Sequence, residues 1–162
     1  DRSMSVAFTK EQDSESAAAD LPDRPISPHP NLVTAHGLAQ IEEELAKARA
    51  AYSAAQASGD AGVDRTAMAR ATRDLRYYAA RRASAQLIEP DLALDTVQFG
   101  RTVTFEREDG RRQAFAIVGE DEADPAKGSV SYNSPLARAL MGKTVGDVAT
   151  VAGAEVELVE VR

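Results

Sequence analysis

Leu38, Ile41, Leu45, Ala48, Tyr52 and Ala55 recur at alternating steps of three and four, the spacing that keeps one helical stripe against a partner. The stripe breaks at Ser58-Gly59-Asp60-Ala61-Gly62, where two glycines suit a tight reversal. It resumes at Met68, Ala71, Leu75 and Tyr78, with Arg82 intruding before Ala85. Two apolar stripes of similar length on either side of a short turn predict an antiparallel helical hairpin over residues 34–89. Its seam is rich in alanine, so the helices can approach closely but bury little apolar area. The base of such a hairpin is expected to be held by the domain C-terminal to it.

The chain ahead of the hairpin has a different character. Residues 4–33 carry no sustained periodicity and end in a stretch where Pro22, Pro25, Pro28 and Pro30 crowd together. Prolines at that density forbid a helix and favour extended, polyproline-like chain. Residues 1–33 are therefore expected to form a disordered tail and a proline-rich linker. Asp1-Arg2-Ser3, ahead of Met4, read as a cloning remnant and are set aside.

After the hairpin, Glu89-Pro90-Asp91 closes the second arm, because proline disfavours helix at the residue before it. The rest reads as β structure with one short helix, an α+β unit over residues 91–162. Val97, Phe99, Arg101, Val103 and Phe105 alternate, and Glu108-Asp109-Gly110-Arg111 offers a hairpin turn. The partner strand buries either Phe115 and Ile117 or Ala114, Ala116 and Val118. Further strands are expected around Val130 and Tyr132, Val148 and Val151, and Val156–Val161. Between them Ser134 caps a helix that has Pro135 at its first position and Gly142 beyond its end.

Charge narrows the function classes. The net charge is −7, which argues against a generic nucleic-acid binder, but the distribution is uneven. Residues 34–90 carry eight basic and seven acidic side chains, while residues 91–162 carry eight and thirteen. Arg65, Arg70, Arg73 and Arg76, followed by Arg81 and Arg82, crowd the second arm. They form either a solvated helix face or a basic strip turned toward nucleic acid or an acidic channel wall. The chain has no Cys, which excludes disulfides and thiolate metal sites. No apolar run approaches the ~20 residues that span a bilayer, so no membrane contact is expected and a cytoplasmic setting is the natural one. His29 and His36 have no clustered carboxylates beside them in sequence, so no metal site is expected there. Tyr77-Tyr78 reads as half seam and half surface.

The C-terminal part carries a resemblance. Ile117-Val118-Gly119-Glu120-Asp121-Glu122-Ala123-Asp124, then Gly128 with Val130-Ser131, then Ser134-Pro135-Leu136-Ala137-Arg138-Ala139-Leu140-Met141-Gly142-Lys143 with Gly146-Asp147-Val148, resemble in order and spacing two blocks of the GreA/GreB transcription elongation factors. Thr34, Gly37 and Glu42-Glu43-Glu44-Leu45 resemble that family's first arm more loosely. The resemblance implies a coiled-coil arm on an FKBP-like domain. It also implies RNA polymerase as partner, with the domain on the rim of the secondary channel, the arm inside it and transcript RNA within indirect reach. Asp121, Ser134, Pro135 and Leu136 match family positions near the docking surface. The chain would be no enzyme alone: acids at the arm's tip would help hold the polymerase's own Mg²⁺ and water for transcript cleavage. No other cofactor is implied.

The tip departs from that pattern. Asp60 matches the first tip aspartate, the second acidic position falls on Val63, and Asp64 stands one residue late. Family arms run roughly seven to eight residues longer per helix, about 11 Å of reach at ~1.5 Å rise per residue. Two rival functions stay open at the level of sequence. One is an interaction module regulating another enzyme, such as nucleoside diphosphate kinase. The other is a prolyl isomerase, which needs an aromatic-lined pocket that few aromatic residues are left to supply.

Overall fold

The computed structural model describes residues 21–58 and 61–162, and for residues 61–64 the backbone alone. Two compact units divide the described chain: one holds Ile41–Ser84 with the chain up to His29, the other Pro30–Gln40 with Ala85–Arg162.

The first unit is built on two long helices, α1 (Ala35–Ala57), whose residues up to Gln40 belong to the second unit, and α2 (Ala61–Ser84). Ile41, Leu45, Ala48 and Ala55 of α1 are buried, as the three-four stripe requires, and Ala71 is buried on α2. Arg82 Nε lies 3.0 Å from Glu42 Oε1, joining the end of α2 to the early turns of α1, so the helices run antiparallel. The expected seam needs one correction. Arg81, only 2% exposed, takes the buried position that spacing gave to Arg82, which is exposed. A long aliphatic stem lets arginine lie along a seam, while Arg82 carries its head outward to the Glu42 carboxylate.

The second unit contains β1 (Leu32–Val33), β2 (Gln86–Leu87), β3 (Thr102–Arg107), β4 (Arg112–Val118), a 3-10 turn (Pro125–Lys127), β5 (Ser129–Ser131), α3 (Pro135–Leu140), β6 (Val148–Val151) and β7 (Ala154–Val161). Five strands form one sheet in the order β5-β4-β3-β7-β6. All neighbours are antiparallel except β4 and β5, which are parallel. Val103, Phe105, Ile117, Val156 and Leu158 line its inner face, and Ala137 and Leu140 of α3 complete the core. Of the two parities open for β4, the structure takes the one with Phe115 and Ile117 toward the core, adding Val118 at the strand's end.

The turn between β3 and β4 is set by its own residues. Gly110 has φ +86°, a backbone that side chains rarely adopt, and its N–H donates to Arg107 O at 2.9 Å. The Arg111 backbone N–H (3.0 Å) and guanidinium (2.6 Å) hold the Asp109 carboxyl below its ordinary pKa.

Three expectations are revised. The alternation from Val97 is kept in burial, with Val97 and Phe99 inside, but the strand begins only at Thr102. Before it a turn closes through Arg101 N to Gln98 O at 3.1 Å, and the buried Arg101 guanidinium donates to the carbonyls of Leu94 and Thr96. Val148 points outward, and Ala149 and Val151 occupy the inner face of β6. Finally, order begins upstream of Thr34. Leu32 pairs with Gln86 and Val33 with Leu87 in a parallel two-stranded ladder, and Asn31 and Val33 are buried. Backbone pairing across 54 positions leaves no periodic trace in a run of two residues.

Candidate docking surface

Because β4 and β5 are parallel, the chain leaves both at the same end of the sheet, where Val118 pairs with Ser131. The loop after β4 carries Gly119–Glu122 and the loop after β5 carries Tyr132–Ser134. The Asn133 amide donates to Glu120 Oε1 at 3.0 Å, which ties the two loops together. The Ser131 hydroxyl in turn donates to the Asn133 side-chain oxygen.

Ser134 then starts α3. Its hydroxyl accepts from Ala137 N at 3.2 Å, satisfying a backbone donor that the first turn leaves open. Pro135 comes next, at the first helical position, and is exposed, while Leu136 is half-buried against the core. The serine is thus spent on the cap, and the outward features of this corner are Asp121 and Pro135, both exposed.

The acidic run after β4 divides its work by residue. Glu120 holds Asn133. Glu122, 11% exposed at its side chain, turns to the start of α1, where it accepts from the Thr34 hydroxyl at 2.6 Å and lies 3.0 Å from His36 Nδ1. Thr34 Oγ1 accepts in turn from Gly37 N at 3.0 Å, the bond of an N-cap. A carboxylate beside the amino end of a helix is electrostatically favoured. Asp121, between these two anchors, is exposed.

The Pro30–Val33 segment lies against the same corner. The Tyr132 hydroxyl donates to Pro30 O at 2.7 Å. Gly119 approaches the Leu32 carbonyl so closely that a Cβ there would collide with it.

Sequence reasoning named Asp121, Ser134, Pro135 and Leu136, and the structure brings all four to this corner. It missed Glu120 and Asn133, which lie 13 positions apart, and the Thr34–Glu122 pair, 88 apart. Thr34 stood in the sequence only as part of the loosely matched first arm, and neither its capping role nor its carboxylate partner was read there.

The basic residues of the arm belong to the other unit. Arg65 and Arg76 are exposed and Arg73 half-buried, and all three line one groove of about 300 Å³ with Met68 and Thr72. Arg70 lines a different groove, with Glu44 and Ala48 of α1. Arg73 Nε stands 3.7 Å from Asp74 Oδ1, and Arg76 lies 3.2 Å from Asp23. Asp60 and the Asp64 side chain lie outside the described residues; the backbone of Asp64 is in the first turn of α2. Among the described residues no three His, Asp or Glu side chains converge on a metal position, and no helix is long and apolar enough to cross a membrane.

The family model described as "Transcription elongation factor, GreA/GreB, C-term" matches residues 91–162. The transcription elongation factor GreA of Desulfovibrio desulfuricans is 38% identical over 136 residues, covering 74% of this chain and 83% of that factor. The chain belongs to the GreA/GreB family. The GreA factor of Alkalilimnicola ehrlichii is 49% identical over 87 residues, which cover 49% of this chain and 55% of the relative. Among solved structures, the GreA factor homolog 1 of Thermus thermophilus matches with TM-score 0.39 and 21% identity, covering 83% of this chain and 99% of that one. The GreA/GreB factor of Nitrosomonas europaea matches with TM-score 0.38 and 21% identity over 82% and 98%. Membership rests on the sequence relationship, which in the D. desulfuricans factor runs through most of both chains. These GreA/GreB relatives do not favour a regulator of nucleoside diphosphate kinase.

Proposed function

We propose that this GreA/GreB-family chain binds RNA polymerase at the secondary channel and modulates elongation and pausing, with the corner of Asp121, Ser134, Pro135 and Leu136 at the contact. The observation that carries the reading is the tied pair of loops. Glu120, Asn133 and the Ser134 cap hold Asp121 and Pro135 outward on a rigid corner, within the stretch where the family match lies. A contact surface presented without further ordering loses little entropy on binding.

The test is competition for core polymerase between the full chain and a GreA factor. Each is expected to displace the other. Asp121→Ala with Pro135→Ala should weaken binding about tenfold, or ~1.4 kcal/mol, while Ser134→Asp keeps the cap and reports on folding. Simultaneous binding of both proteins to one polymerase would sink the shared site.

We further propose that the chain carries no chemistry of its own and stimulates transcript cleavage weakly or not at all. Mg²⁺ takes oxygen ligands at ~2.0–2.1 Å in near-octahedral order. Val63 offers none, and the short arm leaves Asp60 and Asp64 far from a metal held by the polymerase. A carboxylate beyond contact contributes only screened attraction. The measurement is RNA cleavage in backtracked complexes at saturating protein, wild type beside Asp60→Ala/Asp64→Ala. Slowed elongation without cleavage from both is the expected result. Robust cleavage that vanishes in the double variant overturns it.

A further inference from the structure

The five-stranded sheet ends on one side in a strand with no neighbour. β6 is last in the order β5-β4-β3-β7-β6. Its ladder with β7 closes through Ala152 and Gly153, whose φ values of 51° and 81° match a two-residue hairpin turn of the mirror type. The residues flanking such a turn, Val151 and Ala154, exchange both backbone bonds, and bonding then alternates along the strand. Ala149 and Val151 therefore bond to β7, as does Asp147, whose carbonyl accepts from Leu158 N at 2.9 Å. The N–H and C=O groups of Val148 and Thr150 point away from β7, and no hydrogen bond among the described residues uses them. Both residues are exposed, Val148 to 53%. Proteins commonly guard such an edge with charge, proline or a bulge, and Val148–Val151 contains none of these. The opposite edge is treated differently: Ser129 N of β5 donates to Asp124 O at 3.1 Å.

The sheet face beside this open edge is acidic. Val148 lies opposite Glu157 and Thr150 opposite Glu155, and Glu106 of β3 flanks Glu157 on its other side. Like charges directly opposite each other on one face cost stability. Arg112 reaches Glu106 at 2.9 Å, whereas Glu108, Glu155 and Glu157 have no ion pair among the described residues. These four carboxylates and Val148 line a groove of about 260 Å³, in which Arg107 is turned aside to Gln113 at 2.6 Å. We infer that the β6 edge receives an extended segment of a partner protein, one that carries lysine or arginine at alternate positions. The segment adds a sixth strand, its backbone bonded to Val148 and Thr150 and its basic side chains on the acidic face. An added strand lies two strand spacings, about 10 Å, from β7. A lysine or arginine stem crosses that gap along the exposed Val148 side chain and brings its charge to Glu157. Charge also decides against a second copy of this chain as occupant, because edge-to-edge pairing would draw the Glu155 and Glu157 rows of two copies together. The inference uses none of the Asp121–Pro135 corner and stands apart from polymerase docking.

The probe is an acetylated, amidated peptide of about eight residues, the usual length of a strand, alternating lysine and valine. It is added to the full chain at low salt, and hydrogen exchange is read at single amides. Exchange at Val148 and Thr150 is expected to slow about tenfold or more at saturating peptide, while Ala149 and Val151, already bonded to β7, change little. Only one alternate set of peptide amides can face β6. N-methylation of that set should abolish binding, and N-methylation of the other set should leave it. Glu155→Gln/Glu157→Gln, at two exposed positions, should weaken binding about fivefold. Peptide bound without new protection at Val148 and Thr150 overturns the inference, since charge attraction alone would then account for it. Equal binding by the two N-methylated peptides overturns it too, as does undiminished binding to the double variant. Protection of the same two amides that grows with protein concentration in the absence of peptide would make the occupant a second copy, and the inference fails there as well.

Discussion

Phe105→Ala is expected to destabilise the sheet unit by about 3–5 kcal/mol, the usual cost of emptying an aromatic site in a packed core. Phe105 is fully buried and stacks on Phe115 with ring centres 6.1 Å apart and planes 18° from parallel. It sits on β3, the central strand, bonded to β4 on one side and β7 on the other. Partners on both edges stop the backbone from collapsing into the void, which places the cost toward the upper end. The register shift in the β3–β7 ladder falls at Thr104/Phe105, so the side chain also fills the space beneath an irregular step. Native-state hydrogen exchange at Val103 and Leu158 reads the effect in the unit concerned. Protection there should fall by about two orders of magnitude or more, given that each 1.4 kcal/mol is a factor of ten. A loss below about tenfold would mean that the core refills and that Phe105 is not its keystone.

How far such a core is legible in sequence depends on whether its contacts are periodic. The seam of α1 was readable because Ile41, Leu45, Ala48 and Ala55 repeat with the helix itself. So were the Asp109-Gly110 turn and the Ser134-Pro135 helix start, where one or two residues carry the conformation. Arg81 defeated the reading, because a hydropathy pattern scores arginine by its charged head and not by the stem that it can bury. The strand start was missed for a related reason: Val97 and Phe99 alternate like a strand, yet Arg101 folds back on the carbonyls of Leu94 and Thr96. The docking corner was legible only in part. Ser134 and Pro135 announce themselves locally, whereas Glu120–Asn133 and Thr34–Glu122 are pairings across the chain, and nothing in either residue's neighbourhood names its partner. The Pro30–Val33 segment was hidden most completely, since prolines that forbid a helix say nothing about what an extended chain will pack against.

That segment sets the second large effect. Gly119→Val is expected to lower stability by about 2–3 kcal/mol, near the upper part of the range for overpacking. The glycine is not there for its backbone angle: its φ lies outside the left-handed region, whereas Gly110 has φ +86°. What excludes a side chain is the Leu32 carbonyl, which a Cβ would strike directly. Backbone cannot rotate aside as the end of a flexible side chain can, and Leu32 is fixed by its pairing with Gln86 and by the burial of Asn31 and Val33 beside it. Relief therefore requires the Pro30–Val33 segment to lift away. Lifting it would break the Tyr132–Pro30 hydrogen bond and strain the neighbouring Thr34–Glu122 contact at the start of α1. Gly110→Ala is the matched control, with open space around the Cβ and only the cost of a left-handed backbone, about 1–2 kcal/mol. Thermal melts separate the two when combined with Thr34→Val/Glu122→Gln, which removes the ionic part of the contact next to the segment. If the clash acts by lifting the segment, Gly119→Val adds less in that background than in the wild type, because part of the loss has already been taken, whereas Gly110→Ala adds its full cost in both. Equal, fully additive losses for Gly119→Val would show instead that the strain is absorbed within the β4 loop and that Pro30–Val33 stays in place.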